Sequence, residues 1–505
     1  MERNDVLQAR LRVDLTDGNL YADYPTGYQG TTFAISSNEL TATTDADTEP
    51  VELISANEYI LAYVAPKDKT FDDYIHALKS GKYTAAARLE FLQPDGTVAF
   101  TLGSRIQRGF QKNHDTRAFI QGGSLNVTMQ NGMRRKATVK LANADGAFSY
   151  NINKVWYGKT VRLLMGVRFP DDTELLFSQG VFLIENPQET ISPSERTISY
   201  QLVDKWANLN GEHGGTFDTT YKIPAMVFSP VFSRTNVFSA MQSLLKLSRY
   251  TFEYDGNKQN MFDSTPPIFT LFYNDKVYYD AENDTFVNYA DLPHDVVTDS
   301  MNGTIADTLL ELNETLAGLI GYDANGALRV EPSQEDIDDD TKAPLWTFSM
   351  NDYMLLSVSE TSKNTDVKND VIISSSNLDD LEIWARASNY DGTSDTNINL
   401  IGKRTYRESK STYWNTEQCA ALAEYELKKR CVLQKSVTIE CAPLYHLYEN
   451  GIVAVQRTDK TGNPVENHLI SSFTIPIAEQ GQMQINATSV NDIPEFKITT
   501  SVSVS

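Results

Sequence analysis

The chain has 505 residues, 41% of them hydrophobic and including 22 Phe and 25 Tyr, which is ample for packed cores and sets disorder aside. Against 44 basic residues stand 67 acidic ones, for a formal charge of −23. Such a surface on average repels phosphate, so sequence-independent nucleic-acid binding is not expected, although a local positive lining inside a ring stays open; no sequence-specific nucleic-acid binding is assigned either.

Three cysteines, Cys419, Cys431 and Cys441, form no C-x-x-C pair and argue against a disulfide-stapled scaffold. At ~150 residues per domain, the length suggests three or four domains. No run of ~18 apolar residues occurs, so no membrane span is expected. Met1 to Arg10 lacks the apolar core of a signal peptide, which points to synthesis and folding in a cytoplasm.

Residues 1–83 read as an N-terminal extension of uncertain fold. Within it, Ser36 to Pro50 is rich in Ser, Thr, Asp and Ala and reads as loop. Phe71, Tyr74, Ile75 and Leu78 form the apolar face of a short helix. A first β-barrel module is expected over 84–212. It opens with two strands across Pro94-Asp95-Gly96, then a hairpin across Asn131-Gly132. Strands from Gly158 to Leu202 complete an antiparallel barrel or sandwich.

A mixed α/β domain is expected over 213–350. Val237, Met241, Leu244 and Leu245 recur at helical spacing behind Asn236, a good N-cap. Thr304 and Asp307 form a capping box, and Ile305, Leu309, Leu312, Leu316 and Leu319 carry a helix that Gly321 closes. Asn325-Gly326 suits a tight hairpin, and the acidic run Glu335 to Asp340 reads as a linker.

The last block, 351–505, returns to β as a second barrel module. Asn369 to Ser374 is a strand, and Asp391 to Asn399 is a polar loop. A helix over 416–430, with stripe Cys419, Leu422, Ala423 and Leu427, is expected to brace the barrel strands laterally.

Two stretches repeat one pattern. Gly158 to Leu164, Leu176 to Pro187 and Thr197 to Val203 run as glycine and strand, polar turn, strand with Leu and Phe, and alternating strand. Gly451 to Val455, Leu469 to Ile477 and Met483 to Val490 repeat that order. The fold class is therefore mainly β with α+β insertions: two similar antiparallel barrel or sandwich modules plus a mixed helix-hairpin domain.

Chemistry is sparse. The sequence holds no H-E-x-x-H, G-x-S-x-G, Walker loop or dinucleotide fingerprint, so no catalytic, cofactor-binding or metal residues are assigned and no enzyme is expected. His213, in Gly211-Glu-His-Gly-Gly, is read as structural, and the cysteines as core. The acidic run lacks the spacing of a calcium loop. The aromatic content leaves sugar stacking open as an alternative. Architecture-critical positions are Gly158, Gly180, Gly326 and Gly451 at turns, with Leu309, Leu312 and Leu316 in a helix core.

Four segments carry a resemblance: Lys140 to Phe148 with Gly158 to Val161 and Phe177 to Phe182; Thr304 to Pro332; Thr361 to Ser374; and the helix at 416–430 with Ala442 to Val455 and His468 to Ile475. In order and spacing they resemble baseplate hub proteins of tailed phages, the group of contractile-tail hub rings and the N-terminal part of siphophage tail-associated proteins. The resemblance covers about two thirds of the chain and leaves residues 1–83 without a counterpart.

The resemblance implies a virion structural protein: a homotrimer whose two barrels per chain alternate round a ring. That ring would adapt a sixfold tail tube or distal-tail ring to a threefold spike, fibre or tape-measure end, and would bound the DNA exit channel. The chain ends soon after its last barrel strand, so a long lytic or fibrous extension is not expected. The alternative is a carbohydrate-binding tail-tip or cell-surface adhesin built of β-sandwiches.

Overall fold

A computed structural model describes residues 61–92, 96–105, 118–144, 146, 148–149, 160–217, 220–228, 232–247, 292, 295–298, 303–316, 318–331, 343–362, 365–375, 383–410, 416–431, 435–477 and 481–490. It also describes the strand backbone of 6–10, 31–36, 39–44, 53–54, 251–254, 257–260, 268–270, 277–280, 285–288 and 498–504. The fold is mostly β and is dominated by one 15-stranded sheet, antiparallel but for a single parallel pair.

The first described unit begins with β1 (Ala62–Pro66) and α1 (Phe71–Ser80). Thr70 and Asp73 cap α1 reciprocally, and Tyr74, Ala77 and Leu78 are its buried side. Then follow β2 (Thr84–Leu92), β3 (Val98–Gly103), β4 (Phe119–Thr128), β5 (Arg135–Ala142), β6 (Thr160–Arg168), β7 (Glu174–Ile191) and β8 (Arg196–Asp204). Alternation decides which side of β5 is buried: Arg135, Ala137, Val139 and Leu141 point in, while Lys136, Thr138 and Lys140 point out.

The mixed block contributes α2 (Val237–Leu247), α3 (Ile305–Leu316), β9 (Leu319–Tyr322) and β10 (Leu328–Glu331). The last block contributes β11 (Trp346–Ser349), β12 (Leu355–Ser362), β13 (Asp370–Ser375), β14 (Ile383–Asn389), β15 (Thr405–Lys410) and α4 (Thr416–Arg430). It ends with β16 (Lys435–Cys441), β17 (Ile452–Gln456), β18 (Val465–Pro476), β19 (Met483–Ser489) and β20 (Ile498–Val504).

The duplication is present in the connectivity. Five strands of the first module lie in the order β4-β5-β8-β7-β6, and five of the second in the order β12-β16-β19-β18-β17. Taken along the chain, first pairs with second, second with fifth, fifth with fourth and fourth with third in both modules.

Irregularities fall at matching places too. The first strand of each module bulges, between Ile120 and Gly122 in β4 and between Leu355 and Ser357 in β12. The fourth bulges within the same four-residue stretch, between Glu185 and Gln188 in β7 and, one pair earlier, between Ile470 and Ser472 in β18. A bulge fixes register because it leaves one residue unpaired, so these pairs align the modules residue by residue.

Three expectations differ from the structure. Within 36–50, read as loop, Glu39–Thr44 is a strand paired with Thr31–Ser36; the run of Thr is β-branched and suits a strand more than its polarity suggested. The capping box of α3 is present, but the helix stops at Leu316, and Leu319 and Gly321 already belong to β9. Asn313 ends it by donating its side-chain amide to the Gly318 carbonyl at 2.7 Å.

Lastly, α4 does not brace barrel strands. With β15-β13-β14-β20 it forms a separate α/β layer whose core is Val371, Ile373, Ala385, Ala387, Cys419, Ala423 and Leu427. Most of this layer is inserted between β12 and β16, where the first module has only the short β4–β5 turn. The expected linker at Glu335 to Asp340 lies outside the described residues.

Candidate functional site

The two modules meet edge to edge. Ser472 to Pro476 of β18 pairs antiparallel with Thr128 to Ser124 of β4, Thr474 opposite Asn126 and Ile475 opposite Leu125. Met129 N–H donates to the Ser471 carbonyl at 2.7 Å, and Ile477 N–H to the Gly123 carbonyl at 2.9 Å, extending the ladder at both ends. On one face Leu125, Val127, Phe473 and Ile475 are buried in a core shared by both modules. On the other, the Thr474 hydroxyl donates to Asn126 Oδ1 at 2.8 Å.

Behind this seam lies a buried set of charges that ties three parts of the chain together. Arg135 enters from the first position of β5 and Arg134 from just before it, Glu331 from β10 and Glu449 from the turn before β17. Arg134 Nη1 lies 3.3 Å from Glu331 Oε1 and 3.8 Å from Glu449 Oε1, and Arg135 Nη2 pairs with Glu449 Oε2. Arg135 also donates to the Gln179 carbonyl at 3.0 Å, and Gln179 donates to the Tyr445 carbonyl at 2.8 Å.

Asp204 closes the set from β8, accepting the backbone N–H groups of Arg134, Arg135 and Trp206 at 2.8, 2.9 and 3.0 Å. Burial nevertheless pushes its carboxyl up to about 6, the three donors opposing the shift without cancelling it. Burial likewise raises Glu331.

A third junction joins α1 to the second module. Tyr74 Oη accepts from Tyr445 N–H at 3.0 Å and stands 3.1 Å from His446 Nδ1. His446 Nε2 is 3.2 Å from the Leu345 carbonyl. A carbonyl only accepts, so Nε2 carries the proton and Nδ1 receives the tyrosine hydroxyl's. Phe71, Phe177 and Trp346 surround the imidazole, and burial holds it neutral, its pKa lowered to about 4.

The glycines picked from sequence have different fates. Gly158 lies outside the described residues. Gly180 is in the middle of β7 and not at a turn; its φ is +140°, and an added Cβ would fall 2.6 Å from the Phe182 ring. Gly326 does sit at the β9–β10 turn, with φ +81°, and a Cβ there would meet the Val181 side chain at 2.6 Å. The structure thus brings Gly180 and Gly326 together, because the hairpin tip docks on β7, with Ser178 Oγ donating to the Ala324 carbonyl at 2.6 Å.

Gly451 follows a turn and packs against Leu345. Leu309, Leu312 and Leu316 are buried together with Trp206, Phe238 and Val330 in the core of the mixed block, away from the seam. His213 is exposed and lies 2.6 Å from Glu185 Oε1. The three cysteines are buried free thiols, and burial raises each.

Sequence reading missed the charge cluster. Its signal was present: Arg135 occupies an inward position of an otherwise apolar alternation. The described residues bring together no group of three or more His, Cys, Asp or Glu suited to a metal, and none of their helices is long and apolar enough to cross a membrane.

No protein-family model matches the sequence, and no curated protein matches it. Among solved structures the chain is similar to a tail protein from Neisseria meningitidis MC58, at 9% identity and TM-score 0.46, over 80% of this chain and 97% of that one. It is similar to the 43 kDa tail protein of prophage MuSo2 from Shewanella oneidensis, at 10% identity and TM-score 0.46, over 80% of this chain and 98% of that one. Prophage tail protein gp18 from Listeria monocytogenes EGD-e is a third, at 10% identity and TM-score 0.43, over 80% and 94%. All three are tail proteins, two of them from prophages.

Proposed function

We propose that the chain is a structural hub protein of a phage tail tip or baseplate, acting by assembly. Three copies form a ring of six near-equivalent modules, which docks on a sixfold tail tube or distal-tail ring and offers a threefold platform to a spike, fibre or tape-measure end. The ring bounds the channel through which DNA leaves, and the net charge of −23 suits a passage that must not hold its cargo.

The observation that carries the reading is the repeated strand order, with the first-strand bulges at equivalent residues and the fourth-strand bulges one pair apart. A chain with two like modules can match a sixfold partner with three copies while keeping threefold features elsewhere. The units of this reading are 84–212 and 351–505, with 213–350 outside the ring.

Gold-labelled antibody against the chain tests the location. Label is expected at the end of the tail away from the capsid. Label spread along the tail, or on the capsid, contradicts the reading.

A further inference from the structure

The seam inside one chain has a counterpart edge on each module that lacks a partner strand among the described residues. β4, the first strand of module one, is covered by β18, the fourth strand of module two. Its equivalent β12 pairs, among the described residues, with β16 alone. β12 is eight residues long and exposed over most of them, with Leu356 51% exposed. A bare edge of that length is a template for strand addition, which proteins otherwise blunt or cover.

The fourth strand of module one, β7, is the counterpart of β18. It pairs with β6 only as far as Leu183, and no described strand lies on that side of Pro187 to Ile191. The aligned bulges place Ile191 where module two has Ile477. Ile477 is fully buried at the seam, whereas Ile191 is 67% exposed.

We infer that β12 of one copy adds to the Pro187–Ile191 edge of β7 in the next copy, reproducing between chains the β4–β18 seam found within one. The inference rests on the ring reading and names the surface that closes the ring. Transferring the register puts Gln188 opposite Thr361, Thr190 opposite Ser359, and Ile191 N–H on the Val358 carbonyl. The hydroxyl–amide contact of Thr474 with Asn126 reappears with its sides exchanged, as Thr361 with Gln188. Glu189 and Glu360 come opposite one another, each with its own countercharge: Arg196 lies 2.8 Å from Glu189, and Arg457 pairs with Glu360. The interface is head-to-tail, so every copy uses both edges and neither of the two stays bare in the closed assembly.

The test is a disulfide between Thr190→Cys and Ser359→Cys in the full chain, whose native cysteines are all buried. Opposed residues in antiparallel strands have Cα atoms about 4.5–5.5 Å apart, within disulfide range. Oxidation is expected to give a covalent trimer at a yield at least about tenfold above either single variant. The pair Thr190→Cys with Glu360→Cys, on opposite faces, is expected to give none.

A trimer by mass that fails to cross-link at 190 and 359 overturns this edge pairing and leaves the ring. Cross-linked chains longer than three support the pairing and overturn closure at three. A monomer without cross-links contradicts both. If the cysteine pair does not fold, Glu360→Pro removes an outward N–H from the β12 edge. It is expected to raise the trimer's dissociation midpoint roughly tenfold with far-UV circular dichroism unchanged. An unchanged midpoint overturns the pairing.

Discussion

Glu449 stands between two arginines that water does not reach, its side chain 2% exposed and those of Arg134 and Arg135 fully buried. Truncating one member of such a set leaves its partners charged and unpaired, which costs about 3–5 kcal/mol. Glu449→Ala is therefore expected to lower unfolding stability by that amount in urea titration. A loss below about 1 kcal/mol would mean that the cluster is not the tie between modules described here.

Protons act on buried groups, among them His446 at the α1 junction and His468 in β18. Burial depresses both His446 and His468 from 6.5 to about 4, so the folded state prefers them neutral. Their contribution is complete above pH 6.5 and is lost as pH falls towards 4, by roughly 3 kcal/mol each. Asp204 slopes the other way: raised from 3.8 to about 6, its contribution is complete below pH 3.8 and is lost as pH rises through 6. The two histidines act against Asp204 and the likewise raised Glu331, and their proton uptake makes stability fall on acidification from pH 7 to about 5. His446→Gln is expected to flatten that slope by about one proton; an unaltered slope would remove His446 from the account.

At the scale of elements, α3 separates end effects from core effects. Thr304 and Asp307 bond reciprocally at its start, and Thr304→Ala is expected to cost about 1 kcal/mol. Leu312 is fully buried, and Leu312→Ala is expected to cost ~2–5 kcal/mol. Chemical denaturation that ranked the cap above the leucine would contradict the packing given for this helix.

Local chemistry made these elements readable in advance. Capping boxes, Asn-Gly turns and strands alternating every second residue act within a few positions of themselves. The repeat of three strand patterns also showed in the sequence. What did not show was action at a distance. The pairing of β18 with β4 joins residues far apart in the chain, and α4 could not be assigned to its own sheet because β13, β14 and β20 enter from scattered positions. Gly180 was visible as a special residue but read as a turn; it lies at a bulge, where Gly180 and Ser178 oppose the neighbouring residues Leu163 and Leu164 of β6.

The whole molecule presents an unfinished sheet. One seam is made within the chain, while the two edges that match it lie on different modules and have no partner strand among the described residues. A monomer would expose β12 as an aggregation hazard; a closed assembly buries it. The modules are alike in connectivity but unlike in side chains: Leu125 and Ile475 at the inner seam correspond to Glu360 and Glu189 at the outer one. The outer seam is therefore the more polar and the more sensitive to salt. Raising ionic strength is expected to shift the subunit equilibrium while leaving the urea midpoint of the folded chain nearly constant. A subunit equilibrium indifferent to salt would contradict this assignment of the two seams.

Averaged electron-microscope views of the purified full chain along its symmetry axis, paired with native mass, test the central claim most directly. Three chains in a closed ring with six similar lobes about a central opening are expected. A monomer at every concentration, or a closed assembly whose lobes do not number twice its three chains, would contradict it.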